Sequence, residues 1–194
     1  NGQGGDDVVL FGWNAGNGSG SSVTVNNLSG DQTYDIGGHP GRDYGNFSIT
    51  TGDGDHSYGI GHSAGRNFGN FSITAGDGDQ TYDIGANAAS NSGNFSIVTG
   101  SGSSNFAFGD DAARVGGRID LDLGSDTDAD SVSFAGLVGS IFIQNYNVTY
   151  DDKVDVVVPS TWSGTDDGTD IVFTQSDQTI TFEGLGGVGA STDP

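Results

Sequence analysis

The residues that suggest chemistry in this sequence are aspartates, which recur in short glycine-rich segments. Gly-Asp-Gly-Asp occurs at 52–55 and again, 24 residues later, at 76–79, and Ser-Gly-Asp occurs at 29–31. Ca2+ takes about six to eight oxygen ligands, and carboxylates together with the carbonyls of a glycine-rich turn supply them. The candidate ligands are Asp6, Asp7, Asp31, Asp53, Asp55, Asp77, Asp79, Asp126, Asp128 and Asp130.

A repeated segment provides the element that must position these aspartates. Gly-Asn-Phe-Ser-Ile at Gly45–Ile49 returns unchanged at Gly69–Ile73 and Gly93–Ile97, at an interval of 24 residues each time. A fixed period of this length indicates one supersecondary unit that cannot bury its apolar side chains alone and stacks on its neighbours. The sequence therefore predicts that equivalent turns lie over one another.

Stacking at about 4.8 Å brings equivalent aspartates close together. Asp53 then lies over Asp77, and Asp31, Asp55 and Asp79 form a second column. Neighbouring carboxylates repel by about 1 kcal/mol in bulk water and by about 3 to 4 kcal/mol at an effective dielectric constant near 20. Ca2+ between successive turns removes this repulsion, and we predict that it is bound there. The alternative is a set of solvated turns in which Asp is favoured by turn geometry alone.

Apolar residues alternate with small polar ones in the segments between the turns, as in Phe47-Ser48-Ile49 and Tyr58-Gly59-Ile60. Alternation is typical of a half-buried strand. We predict an all-β fold, a parallel β-solenoid of about six rungs with two short strands per 24-residue coil. An antiparallel sandwich is the alternative, but it does not predict a constant interval. The predicted core ladders are Val23-Phe47-Phe71-Phe95-Ile119 and Tyr34-Tyr58-Tyr82-Phe106-Val132.

The period fails after about Gly136, which divides the chain into a predicted solenoid at 1–136 and a C-terminal β-strand cap at 137–194. A cap covers the open edge of the last rung, which otherwise pairs with another chain. No cap is predicted at the start, so either more solenoid precedes it or that edge pairs with another copy. The predicted cap strands are Asn147–Tyr150, Val154–Val158, Asp170–Thr174 and Gln178–Glu183, the last two forming a hairpin.

Composition excludes several classes of function. The 194 residues carry a net charge of −21 with five basic residues, too few for a phosphate-binding face, so nucleic acid is excluded as a partner. There is no Cys for disulfides or thiolate metal sites and no apolar run near the ~18 residues of a membrane span. The sequence contains no Met, and we expect a processed form or a piece of a longer chain.

The three histidines do not form a metal-binding pattern. His56 lies beside the acidic turns, but the equivalent residues one repeat away are Gln32 and Gln80, so we interpret His56 as a surface residue. His39 and His62 lie in variable loops and receive no role.

Two segments carry a family resemblance. Gly-Gln-Gly-Gly-Asp-Asp-Val-Val-Leu at Gly2–Leu10 resembles the nonapeptide of RTX (repeat-in-toxin) calcium β-rolls, with Gln3 in place of the second Gly. Asp170–Gly184 is similar to the strand-turn-strand near the C-terminus of RTX proteins exported by type I secretion. The resemblance implies a β-roll-like, extracellular, Ca2+-stabilised module. The 24-residue repeat departs from the family's nonapeptide.

No motif of a known catalytic type occurs, and the repeated aspartates suit a structural role better than a unique catalytic one, so we predict no enzymatic activity. The leading hypothesis is a non-catalytic structural or adhesive module of a secreted surface or matrix protein, folded by Ca2+. One alternative is a filament or surface-layer subunit that polymerises through its solenoid edge. Another is a glycan- or ice-binding face formed by the outward column Thr24-Ser48-Ser72-Ser96.

A further column is predicted from Asn46, Asn70 and Asn94, each of which begins Asn-Phe-Ser. The triplet matches the N-glycosylation pattern. Because the three copies follow from the repeat, we interpret them as a hydrogen-bonded asparagine ladder at the start of a strand.

Overall fold

A computed structural model describes most of the chain and, within the described residues, contains strands but no helix. In particular, no helix that could cross a membrane is found in the part described. The described residues are 5–27, 29–136, 139–146, 152–156, 163–166, 170–175 and 178–183. The strands are β1 Asp7–Phe11, β2 Ser22–Asn26, β3 Gln32–Ile36, β4 Asn46–Thr50, β5 His56–Ile60, β6 Asn70–Thr74, β7 Gln80–Ile84, β8 Asn94–Val98, β9 Ser104–Phe108, β10 Arg118–Asp122, β11 Ser131–Phe134, β12 Ser140–Gln144, β13 Lys153–Val156, β14 Ser163–Asp166, β15 Ile171–Gln175 and β16 Gln178–Phe182.

The strands form two sheets that face each other across one core. A seven-stranded sheet, sheet A, has the order β1-β3-β5-β7-β9-β11-β13, and a nine-stranded sheet, sheet B, has the order β14-β15-β16-β12-β10-β8-β6-β4-β2. Odd and even strands alternate between the sheets along most of the chain. The fold is therefore the predicted parallel β-solenoid, in which each coil contributes one strand to each sheet.

The core contains the two predicted ladders. Phe47 pairs with Phe71 and Phe71 with Phe95 in sheet B, whereas Tyr58 pairs with Tyr82 in sheet A. The rings stack face to face, at 5.3 Å between Phe47 and Phe71 and 4.7 Å between Tyr58 and Tyr82. These side chains are fully buried. The register predicted from the repeat is confirmed.

Two kinds of connection join the sheets, and we name them by length. A short corner leads from a sheet B strand to the next sheet A strand, and a long corner leads back from sheet A to sheet B. A coil is counted here as a sheet A strand, its long corner, a sheet B strand and its short corner. The described residues of the short corners include 27, 29–31, 51–55, 75–79, 99–103 and 123–130, and the long corners include 12–21, 37–45, 61–69, 85–93 and 109–117.

Parallel pairing continues beyond residue 136, because β12 pairs with β10 and β13 pairs with β11. Sheet B then receives β16 in parallel, followed by β15 and β14 in antiparallel pairs. The predicted terminal hairpin is confirmed as β15 and β16, and β14 was not predicted. Asn147–Tyr150 and the end of the predicted strand Val154–Val158 lie outside the described residues. The division at residue 136 and the capping role remain predictions.

Candidate functional site

The predicted aspartate columns lie along the short corner, and each carboxylate accepts a backbone hydrogen bond from the next coil. In one column, Asp55 N donates to Asp31 Oδ1 at 2.9 Å, Asp79 N to Asp55 Oδ1 at 2.9 Å and Ser103 N to Asp79 Oδ1 at 3.0 Å. In the other, Asp77 N donates to Asp53 Oδ1 at 3.1 Å and Ser101 N to Asp77 Oδ1 at 2.9 Å. One oxygen of each carboxylate therefore binds the next coil directly.

These hydrogen bonds offset part of the repulsion between stacked carboxylates. An amide that donates to an ionised carboxylate stabilises the charged form. The backbone and side chain of Ser101 accordingly lower the pKa of Asp77 below its ordinary value. The aspartates of both columns are exposed, so their second oxygens lie at the surface.

A further column lies beneath the two acidic columns, and we call it the inward ladder. It is formed by the first residue of each sheet A strand or by the residue just before that strand. The register aligns Gln32 with His56, His56 with Gln80 and Gln80 with Ser104. All four side chains are buried, and His56 is only 2% exposed. The prediction that His56 is a surface residue is wrong, because its position in the repeat points inward under the turn.

The inward ladder satisfies backbone groups of the short corners. Gln80 Nε2 donates to Gly54 O at 3.0 Å and to Gly78 O at 3.1 Å, and so joins two successive turns. His56 Nε2 lies 2.9 Å from Gly52 O, and its Nδ1 accepts from Gln32 N at 3.2 Å. These partners fit a neutral imidazole protonated at Nε2.

The short corners fit Ca2+ only in part. A closed site between turns uses turn carbonyls as well as carboxylates, and here glycine carbonyls accept hydrogen bonds from Gln80 and His56 instead. Among the residues that the structure describes, no three acidic or imidazole groups come close enough to hold a metal ion together. The donors that remain are the second oxygens of exposed, stacked carboxylates, such as those of Asp55 and Asp79.

The remaining candidate ligands separate into two environments. Asp126 accepts from Gly102 N at 3.0 Å and from Asp128 N at 2.9 Å, within the turn of coil 5. Asp130 instead extends the inward ladder, where its Oδ1 accepts from Ser104 N at 2.7 Å and its own N donates to Asp152 Oδ1 at 3.1 Å. The structure thus does not place Asp130 in the exposed turn with the other two.

Burial gives Asp130 an unusual charge state. The side chain is 4% exposed. Desolvation by burial, together with repulsion from Asp152, Asp126 and Asp128, raises the pKa of Asp130 to about 7, although the hydrogen bond from Ser104 N acts in the opposite direction. Near the start of the chain, Asp7 lies in register with Gln32 and is the first residue of the inward ladder. Asp6 is exposed and precedes Asp7, just as Asp31 precedes Gln32.

The outer face of sheet B carries the predicted polar columns. Asn70 Nδ2 donates to Asn46 Oδ1 at 2.7 Å and Asn94 Nδ2 to Asn70 Oδ1 at 2.9 Å, which confirms the asparagine ladder. Beside it, Ser72 Oγ donates to Ser48 Oγ at 3.1 Å. The face is therefore a regular array of small polar groups bonded to one another along the solenoid axis.

Sequence reasoning missed the inward ladder and a cluster of rings and cations on the long corner. The ladder carried a signal, since the inward alternation of these sheet A strands extends two residues before the buried Tyr or Phe, to Gln, His, Gln and Ser. The second cluster combines residues from coils 1 to 3, and the repeat does not continue it, because coil 4 carries Ser90 and Ser92 where coil 3 carries Arg66 and Phe68. Comparisons of the chain with protein-family models, with curated proteins and with solved structures found no match.

Proposed function

We propose that the chain is a non-catalytic structural and adhesive module of a secreted surface or matrix protein, related to RTX-like repeat proteins. The observation that carries the proposal is the repetition of the same outward polar groups on successive coils, such as Asn46, Asn70 and Asn94. A catalytic centre needs unlike groups that converge, whereas a regular array offers the same contact many times. Such an array suits a partner that is itself repetitive, such as a glycan or a matrix.

Binding to immobilised partners tests this proposal. The labelled chain is applied to an array of glycans and extracellular-matrix proteins, and we expect retention on at least one of them. A double variant, Ser48→Lys with Ser72→Lys, changes the outer array and keeps the core ladders. Loss of retention in this variant places the contact on the outer face of sheet B. Absence of retention, combined with absence of self-association, would contradict an adhesive role.

Ca2+ enters this proposal as a stabilising ion held by the exposed second oxygens of the acidic columns. Its donors are hard oxygens, which Ca2+ prefers, and extracellular modules bind it with dissociation constants of about 10⁻⁴–10⁻³ M. An ion bound only to the folded state raises stability by mass action. The support is the formal charge of −21 and the stacking of Asp31, Asp55 and Asp79 along one edge.

A second candidate function is self-assembly through the solenoid edge, as in a filament or surface layer. Strands β1 and β2 stand at the ends of their sheets, and each pairs with one neighbour among the described strands. The outward side chains of Val8 and Leu10 on β1 are exposed and apolar. An edge strand with unpaired backbone groups is a template for pairing. Analytical ultracentrifugation with Ca2+ tests this candidate, and a monomer at high concentration would exclude it.

The hydroxyl column of sheet B supports the third candidate, a glycan- or ice-binding face. Ser48 and Ser72 lie in register with Thr24 and Ser96. In coil 5 the column is interrupted by Asp120, whose carboxylate accepts from Arg118 Nε at 2.7 Å. Thermal hysteresis measured on the purified chain tests ice binding, and its absence would exclude it.

A further inference from the structure

The long corner of coils 1 to 3 carries exposed aromatic rings and half-buried cationic side chains that the sequence repeat does not require. We call this surface the cationic-aromatic patch. It consists of Trp13 from coil 1, His39, Arg42 and Tyr44 from coil 2, and His62, Arg66 and Phe68 from coil 3. Two of the chain's five basic residues lie here, on a protein with a net charge of −21. The patch therefore differs in charge from most of the molecule.

Rings from three coils meet around Gly38. Trp13 is 67% exposed, and its ring centroid lies 5.7 Å from that of His39 and 5.2 Å from that of His62, edge to face in both cases. The two imidazole centroids are 4.5 Å apart. Gly38 occupies the stack position between Trp13 and His62, and a Cβ there would lie 3.0 Å from the His62 ring. The missing side chain leaves the space in which the rings meet.

Cationic groups converge on the same place. Arg42 Nη1 lies 3.4 Å from His39 Nδ1. Burial and then the positive charges of Arg42, His62 and Arg66 lower the pKa of His39. Arg42 also pairs with Asp43 at 3.1 Å.

Arg66 differs from Arg42, because the residue that follows it is Asn67, which carries no charge. Among the described residues Arg66 forms no ion pair. The Nε atom of Arg66 and the Nδ1 atom of His62 are buried, and neither has a hydrogen-bond partner in the described part of the chain. The positive charge of Arg66 is therefore not balanced by an ion pair with a described carboxylate.

Two exposed aromatic rings continue the patch. Tyr44 and Phe68 are 60% and 55% exposed, and their rings stack at 5.2 Å with 10° between their planes. Both residues have left-handed backbone, with φ of 65° and 59°, a conformation that is unfavourable for bulky side chains. The equivalent positions in coils 4 and 5 are Ser92 and Gly116. The fold therefore accepts small residues at this position and does not require the two rings.

We propose that the cationic-aromatic patch binds an acidic polysaccharide through its uronic acid units. The guanidinium groups of Arg42 and Arg66 match the planar carboxylate of a uronate. The faces of Tyr44 and Phe68 provide apolar surface on which the C–H face of a sugar ring packs. This inference rests on the proposed adhesive function and names the ligand class and its site.

Charge density favours a polyuronate over nucleic acid. A polyuronate carries one charge per sugar, whereas duplex DNA carries about one charge per 1.7 Å of its axis and is repelled more strongly by an acidic protein. At about 0.15 M salt, repulsion from charges further away than about 8 Å is screened, while pairs in contact are affected much less. A local cationic patch can therefore bind an acidic chain despite the net charge of the protein.

Isothermal titration calorimetry with alginate oligosaccharides tests the proposal, in EDTA so that calcium bridges do not contribute. We expect alginate to bind and neutral dextran not to bind. We expect each of two double variants to weaken alginate binding at least about tenfold. One combines Arg42→Gln with Arg66→Gln, and the other combines Tyr44→Ser with Phe68→Ser. The serine variant copies Ser92 of coil 4, so it is compatible with the fold.

Val115→Ser is the matched control, because Val115 is an exposed apolar residue on the long corner of coil 5. We expect it to bind alginate as the parent chain does, and melting curves check that each variant is folded. Failure of the parent chain to bind, binding unchanged in both double variants, or binding to heparin alone would each overturn the proposal. If array retention survives such a failure, the adhesive function stands and only this site is wrong.

Discussion

The short and long corners of the same coils differ in which side chains lie inside the corner and which lie outside it. The short corner is closed from inside, where Gln80 joins the turn carbonyls of two coils, and is acidic outside. The long corner has small residues inside, such as Ala64 and Ala89, and its outer side carries exposed rings and three of the five basic residues. In both corners the inner residues are therefore constrained by packing and hydrogen bonding, whereas the outer residues are free to vary and available for binding.

Close backbone packing makes the long corner the place where one added methyl has the largest effect. At Gly69 a Cβ would lie 1.8 Å from Gly41 O, a backbone atom that cannot move alone. We expect Gly69→Ala to lower the free energy of unfolding by more than about 4 kcal/mol. The control is Gly59→Ala in β5, where the nearest atom to the new Cβ is 3.7 Å away. Chemical denaturation measures both, and equal stabilities would contradict the packing of the coils.

The inward ladder of the short corner is tested at His56. His56→Ala removes the donor to Gly52 O and the acceptor of Gln32 N, so we expect a loss of about 2–4 kcal/mol. His56→Gln should recover most of it, because the neighbouring coils carry glutamine there. Ser57→Ala, at the exposed next position, is the control. A loss below about 0.5 kcal/mol for His56→Ala is typical of a surface residue and would refute the ladder.

The buried end of the ladder and the exposed columns should respond to pH in opposite directions. Folded Asp130 holds its proton up to a pKa of about 7, whereas the unfolded chain releases it near about 3.9. Between these values the folded state binds more protons, so stability falls as pH rises, by at most about 1.4 kcal/mol per pH unit. The lowered pKa of Asp77 acts in the opposite sense, because its contribution is lost on acidification.

Asp130→Asn isolates this effect. The amide keeps an acceptor for Ser104 N and removes the buried charge. We expect the variant to be more stable than the parent above pH 7 and to show a flatter pH profile, measured by thermal melting from pH 4 to pH 8. Asp83→Asn, at an exposed position of β7, is the control, because Asp83 is not among the charges that raise the pKa of Asp130. If the stability of the parent does not decrease in this pH range, the pKa of Asp130 in the folded chain is not raised.

The repeat alone predicted the fold and the register of Phe47 over Phe71, because an exact period and an alternating pattern leave few arrangements. It also placed Asp53 over Asp77. It did not predict the direction of His56, since a polar residue next to a turn is compatible with either face. Nor did it predict the cationic-aromatic patch, because Trp13 and His62 meet only through the absent side chain of Gly38.

We propose that the two oxygens of each column carboxylate have separate roles, one binding the next coil and the other binding Ca2+. An asparagine keeps the acceptor for the amide and removes the charge, so Asp55→Asn with Asp79→Asn separates these roles.

The decisive measurement is thermal melting of the parent chain and this double variant, each in EDTA and in millimolar Ca2+. We predict that Ca2+ raises the melting temperature of the parent, that the increase is smaller in the variant, and that in EDTA the variant melts no lower than the parent. A parent melting temperature that is identical in EDTA and in Ca2+ would contradict the account.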